Sequence, residues 1–297
     1  MPYRVEKVTM FCYGEKEAWY KRICPSGMLP ALKLDGRLIT ESDVILTALE
    51  AEFGPLHAPF EDPKVRKLRG LERDLFSAWC QWLCRPSRGV QQEELAHMAF
   101  LQQAARMERA LGETNGPFFL DQFSVADCVF VPYVERMSAS LFYYKGFVLR
   151  DSKVFPNIAA WFSGLEQRQT YLGTQSDFHT HCHDLPPQMG GCYQSGTVEQ
   201  AACRQRVDGC TDWTVPETGL LEPEDSRSLA LQRVVKHREA IMAVNPLSSS
   251  RPSLDLALRT ALTWMVQEVG QAATMEVPPG MEVGLRYIRY WHGADLL

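Results

Sequence analysis

Leu29-Pro30-Ala31-Leu32-Lys33-Leu34-Asp35-Gly36, followed at once by Leu38-Ile39-Thr40-Glu41-Ser42, holds the residues best placed to bind a small molecule, and most of the binding groups are backbone. The bond before Pro30 is of the one type that readily goes cis. A cis bond there turns the amide and carbonyl of Leu29 outward, where an extended peptide can pair with them. Glu41 and Ser42 come directly before the apolar run Val44, Ile45, Ala48 and Leu49, so they stand at a helix N-terminus whose free N–H groups attract a carboxylate. Ser42 adds a hydroxyl, and Glu41 an acceptor for an ammonium group. The plainer alternative makes Pro30 a strand-opening proline and Ser42 an ordinary helix cap.

Three other groups of residues have the chemistry for a site. His179, His181 and His183 alternate, and on a strand all three imidazoles point to one side, which suits zinc or copper. The cluster lacks the His-x-x-x-His or Cys-x-x-Cys spacing of common metal sites, so a hydrogen-bonded loop is favoured and no metal is expected. Cys80 and Cys84 lie one helical turn apart, late in an apolar helix, and read as core filling; Cys12 has only Lys16 near it in sequence. Among the aromatic residues, Trp79, Tyr143 and Tyr144 are the candidates for a substrate pocket, although aromatics at helical spacing more often fill cores.

The elements that position these residues are mostly helical. Asp35-Gly36 signals a type I′ turn between two short strands. From Asp62-Pro63, Leu68, Leu71, Leu75, Phe76, Trp79, Trp82 and Leu83 recur at three- and four-residue steps, and Pro86 closes the helix. Leu95, Met98, Leu101, Ala105, Met107, Ala110 and Leu111 mark a second helix that ends at Gly112. Ser124 caps a third, with Asp127 as the box partner and Phe123 stapling toward Cys128. A further helix runs from about Asn157 to Arg168. Residues 172–223, rich in Gly, Pro, Ser, Thr and Gln, read as a loop or extended arm. Beyond it, Leu229, Val234 and Ile241 suggest one helix, Ser253 caps another carrying Leu254, Leu258 and Leu262, and residues 283–291 suggest a third.

Leu29-Pro30-Ala31-Leu32, Asp35-Gly36 and Glu41-Ser42 occur in the order found in the thioredoxin-like half of the glutathione S-transferase superfamily, which this sequence resembles. Phe119 to Asp127 and Phe155 to Tyr171 are similar to that family's capping box and closing helix. The resemblance spans residues 3 to about 171. It implies an α/β plus all-α protein: a shortened thioredoxin-like glutathione-binding domain at 1–54, a helical domain at 62–171, the arm at 172–223 and a helical extension of unassigned role at 224–297. In the family, a strand and helix precede the segment that Tyr3 to Val8 matches, and the thiol-activating group lies there. The resemblance therefore implies that the first strand and helix are missing, that the catalytic residue is unknown in this chain, and that Leu29, Pro30, Glu41 and Ser42 bind glutathione as co-substrate. The implied activity is transfer of glutathione to a small-molecule electrophile, or its reduction. A non-catalytic binding or assembly module on the same fold is the alternative, and a homodimer is left open.

The 297 residues, 45% hydrophobic and 23% charged, suit a globular chain with sizeable cores. A net charge of −5 gives no basic excess, so no nucleic-acid partner is expected. Nine cysteines at irregular spacing point to free thiols in a reducing compartment. The longest apolar run, Val129 to Val134, is far too short to span a bilayer. The expected location is intracellular, either cytoplasmic or, with an upstream transit peptide, chloroplast or mitochondrion.

Overall fold

The computed structural model describes residues 3–6, 8–9, 15–172, 174–176, 178–208, 231, 234–235, 238–239, 241–243, 245, 247–266, 277–281 and 284–285. They fall in two compact units, residues 1–168 with 181–204 and residues 169–180 with 205–297. The expected helix at 283–291 lies outside the described residues except at Gly284 and Leu285, which are helical, and Cys12 lies outside them too.

In the first unit, the short helix α1 (Ala18–Ile23) leads into a two-stranded antiparallel hairpin, β1 (Ala31–Leu34) and β2 (Arg37–Thr40). Ala31 pairs with Thr40 and Leu34 with Arg37. The turn residues have positive φ, 47° at Asp35 and 81° at Gly36, as a type I′ turn requires. Residues 3–6 and 8–9 form no strand. Helix α2 (Ser42–Phe53) then packs on both strands.

The bundle follows. In α3 (Pro63–Leu83), Asp62 accepts from the backbone N–H groups of Lys64 (2.8 Å) and Val65 (3.4 Å), and Pro63 occupies a position where a missing N–H is harmless. Its apolar stripe is buried as the spacing predicts. Helix α4 (Val90–Leu111) ends at Gly112, but its core face is Phe100, Ala104, Met107 and Leu111. Leu95 and Met98, expected in that stripe, are 72% and 58% exposed. The strict three- and four-residue steps run from Phe100, and the looser series begun at Leu95 drifts onto the outer face.

Helix α5 (Val125–Lys145) is the central element, packed on α3 and opening with the expected capping box. Asp127 accepts from the N–H of Ser124 at 2.9 Å, and also from Nε1 of Trp161 in α6 (Pro156–Leu165) at 2.9 Å. One carboxylate thus fixes the start of one helix to the middle of another. Phe123 sets its ring against Phe118 and beneath the Arg168 guanidinium.

The stretch read as an arm at 172–223 instead contains two helices among its described residues, α8 (Phe178–Met189) and α9 (Val198–Asp208), which follow the short α7 (Gln169–Leu172) and are joined by the irregular residues 190–197. Pro186 and Pro187 hid α8, since proline removes an N–H from the helix interior. The carbonyl that loses its partner to Pro186 is that of Cys182, four residues back, and it accepts the hydroxyl of Tyr144 at 2.9 Å. The residues between α8 and α9 perform a similar service. Carbonyls at a helix C-terminus have no partner within the helix, and here Leu83 of α3 receives Tyr193 N–H (2.8 Å) while Tyr144 of α5 receives Ser195 N–H (2.9 Å). The Tyr143 carbonyl accepts the Gln200 side-chain amide at 2.9 Å.

In the second unit the described residues between 231 and 243 are helical, and a 3-10 turn (Ser248–Ser250) leads into α10 (Arg251–Val266). Ser253 is therefore inside the first turn and not the cap; Pro252 takes the early position that tolerates a missing N–H. Val234, Ile241, Met242, Leu254, Ala257, Leu258 and Met281 form this unit's own core. Among the described residues no helix is long and apolar enough to cross a membrane.

Candidate functional site

The antiparallel register builds the site. Ala31 opposite Thr40 is the last pair, so Pro30 and Glu41, the residues next to that pair in the chain, flank the same end of the hairpin. The two halves of the sequence motif, eleven residues apart in the chain, meet at one end of the hairpin. The Leu29–Pro30 bond is cis. Among the described residues, the backbone N–H and C=O of Leu29 have no hydrogen-bond partner.

Glu41 has φ 67° and ψ 120°, an uncommon conformation for any residue but glycine. This bend ends β2 and starts α2 without an intervening loop, so the first N–H groups of the helix, at Ser42, Asp43 and Val44, open at the hairpin's end ahead of the first intrahelical bond, Ile45 N–H to Glu41 C=O (2.9 Å). The side chains of Glu41 and Ser42 are exposed and make no hydrogen bond among the described residues. Ser42 is the first helical residue, so its hydroxyl is not engaged as a cap. An extended ligand with an amide in its middle and a carboxylate and ammonium at one end matches this array of donors and acceptors.

Two supports went unnoticed in the sequence. The Tyr20 hydroxyl donates to the carbonyl of Met28, the residue before Leu29, and the Cys24 thiol contacts that carbonyl at 3.8 Å and Ser26 Oγ at 3.4 Å. Burial, with the Cys24 hydrogen bond, pushes the Tyr20 phenol up to about 12, so it is a donor at neutral pH and not a base. Both side chains are only 3% exposed and act from behind the edge. The one available signal was their four-residue spacing, which places both on one face of α1. A second support comes from the bundle. Arg69 of α3 pairs with Asp43 in the first turn of α2 and lies 3.7 Å above the Phe60 ring, and Glu50 of α2 accepts the Phe60 N–H at 2.6 Å.

The expected aromatic pocket does not form. Trp79 is 1% exposed and donates to Ser140 Oγ at 3.1 Å, joining α3 to α5. Tyr143 and Tyr144, 3% and 7% exposed, are covered by residues 182–200, whose donors and carbonyls they serve. A cavity of about 250 Å³ lies instead where α3 ends and α4 begins, lined by Gln81, Trp82, Arg85, Gln92 and Glu93 among others. The three histidines lie on α8, a helix and not a strand, so His179 and His183 share one face and His181 points to the other, 3.7 Å from Glu135.

The comparisons with known proteins agree with this architecture. Residues 1–52 match the family described as glutathione S-transferase, N-terminal domain, and residues 90–163 match glutathione S-transferase, C-terminal domain. Similar proteins include "Protein IN2-1 homolog A" of Oryza sativa subsp. japonica, 26% identical over 166 residues covering 55% of this chain and 66% of that protein. "Glutathione S-transferase DHAR3, chloroplastic" of Arabidopsis thaliana is 26% identical over 180 residues, covering 60% and 64%. "Glutathione S-transferase L3" of the same plant is 28% identical over 167 residues, covering 55% and 68%. The chain thus spans about two thirds of the length of these relatives. Among solved structures, Leishmania TDR1, described as a unique trimeric glutathione transferase, shares the fold with a TM-score of 0.50 at 24% identity, over 64% of this chain and 43% of that one. Both domain models match in order, and these together with the plant relatives support the glutathione S-transferase superfamily for this chain.

Proposed function

We propose that this protein binds glutathione at the end of the hairpin and transfers it to, or uses it to reduce, a small electrophile. The observation that supports the reading is the register whose last pair, Ala31 with Thr40, leaves Leu29–Pro30 and Glu41–Ser42 flanking one end of the hairpin, with the Leu29 backbone groups unpartnered among the described residues. The Leu29 amide and carbonyl pair with the cysteinyl backbone of the tripeptide. The N-terminus of α2 and the Ser42 hydroxyl hold the γ-glutamyl carboxylate, and Glu41 accepts from its ammonium group. This grip leaves the thiol free to attack as thiolate. We assign no residue to its activation: Tyr20 and Cys24, the nearest candidates, are 3% exposed and face away from solvent.

The test is retention of the full chain on immobilised glutathione and release by free glutathione, followed by calorimetry on Glu41→Ala and Ser42→Ala. Each variant loses a hydrogen bond to a charged group, so affinity falls roughly tenfold or more. Failure of the unaltered protein to bind rejects the reading. Unchanged affinity in both variants moves the ligand elsewhere. Binding without turnover of any electrophile supports the module alternative.

A further inference from the structure

Three thiols meet where α3 ends. Cys80 lies in the last turn of that helix and Cys84 caps it, the Cys84 N–H donating to the Cys80 carbonyl at 2.9 Å, and the Cys84 thiol interacts with those of Cys80 and Cys192. Cys192 comes from the segment between α8 and α9. The backbone holds it there: Tyr193 N–H donates to Leu83 C=O at 2.8 Å, which clamps the peptide after Cys192 against the peptide before Cys84. All three thiols are reduced and partly exposed. Close by is the Lys145 ammonium, fully buried and paired with Glu93 Oε1 at 2.7 Å. The cavity at this turn is lined by Gln81 and Arg85, the residues on either side of Cys84's helical turn.

We propose that Cys84 and Cys192 form a thiol–disulfide couple that takes small organic disulfides, with Cys84 the attacking thiol and Cys192 the resolving one. The Cys84 thiolate attacks one sulfur of R–S–S–R, forms the mixed disulfide Cys84–S–S–R and expels RS⁻. The Cys192 thiol then loses its proton to solvent and attacks Cys84 Sγ, expelling the second RS⁻. Both leaving thiolates take up protons, so two protein thiols are oxidised by two electrons and one small disulfide is reduced to two thiols.

The division of roles follows from the surroundings. Hydrogen bonds from Cys192 and Cys80 lower the Cys84 thiol well below the usual range, against its burial, and the Lys145 charge adds to this. The charge so favoured on Cys84 raises Cys192, as burial does. A helix C-terminus by itself opposes a thiolate, so the two donor thiols and the ammonium must outweigh it. Cys80 is raised for the same reasons as Cys192. It lacks the clamp: Cys80 sits in the last turn of α3 with Cys84 as its cap, whereas Cys192 approaches from a separate segment whose backbone is already bonded beside Cys84.

The experiment uses the full chain, reduced and desalted, then exposed to a graded series of reduced and oxidised glutathione, quenched by alkylation and mapped by peptide mass spectrometry. A parallel series uses bis(2-hydroxyethyl) disulfide, which has no γ-glutamyl arm, so the outcome does not depend on binding at Leu29–Pro30. The expected product in both series is a Cys84–Cys192 disulfide. In Cys192→Ser the reaction stops at a mixed disulfide on Cys84, and in Cys80→Ser the cross-link persists. Before oxidation, Cys84 is alkylated about tenfold faster at neutral pH than the buried thiol Cys182. A Cys80–Cys84 link overturns the proposal. So does oxidation of other thiols with Cys84 and Cys192 still free, and neither result requires any variant to fold.

Discussion

Asp127→Ala removes an acceptor on which four donors converge: Trp161 Nε1, Ser124 N–H and Ser124 Oγ at 2.9 Å each, and Phe119 N–H at 3.3 Å. Asp127, Ser124, Phe119 and Trp161 are all 0% exposed, so solvent does not reach the orphaned groups. A buried donor left without a partner costs about 1–3 kcal/mol. The Ser124 hydroxyl can turn to another acceptor, which leaves three fixed donors and, after some relaxation, a loss of about 3–5 kcal/mol. That is a large share of the stability of an ordinary domain. Asp127→Asn keeps one acceptor oxygen and the volume, and the expected loss is about 1–2 kcal/mol. Guanidinium unfolding of the full chain followed by tryptophan fluorescence measures both. The pH dependence adds an independent sign. Burial outweighs the four donors and raises the Asp127 carboxyl, so the native state holds this proton more tightly than the unfolded one. Stability then falls as pH rises from the ordinary carboxylate value through the raised folded value, and Asp127→Asn flattens that slope. An alanine variant within about 1 kcal/mol of the parent, or an asparagine variant as damaging as alanine, refutes this account of the junction.

Two further perturbations probe other parts of the molecule. Gly146 has φ 70°, and a Cβ there would stand 2.7 Å from the Gln200 backbone nitrogen, so Gly146→Ala should destabilise by more than about 1 kcal/mol, as read by chemical denaturation. In the second unit, burial pushes the Asp255 carboxyl up, but Arg238 and Arg259 more than reverse this and lower it overall. Its contribution is present above the ordinary carboxylate value and is lost as pH falls through the depressed folded value; an acid titration followed by circular dichroism should show a shallower loss in Asp255→Asn than in the parent.

What could be read in the chain was what local chemistry dictates. Asp35-Gly36 admits few structures other than the tight turn found. Ser124 with Asp127, and Asp62 with Pro63, mark helix starts because the capping groups lie within three residues of what they cap. The pairing of Ala31 with Thr40 follows from the turn, since a two-residue loop fixes the register. What stayed hidden depends on partners distant in sequence. A helix through Pro186 and Pro187 contradicts local preference, and the Tyr144 hydroxyl, 38 residues before Cys182, satisfies the carbonyl that Pro186 leaves without its helical partner. The same contact removes Tyr144 from any pocket. Leu95 and Met98 misled because apolar residues are common on surfaces. Cys84 and Cys192, 108 residues apart, are brought near each other by the bond from Tyr193 N–H to the Leu83 carbonyl, which no spacing rule anticipates.

The grip of Arg69 on Asp43 has an electrostatic consequence for whatever reaches the hairpin's end. Asp43 sits in the first turn of α2, and its carboxylate would repel an anion from the amides beside it. Arg69 offsets that charge while its guanidinium lies over the Phe60 ring, which holds the cation beside the helix opening. The bundle thus supplies a positive charge at the opening of α2, beside the end of the hairpin.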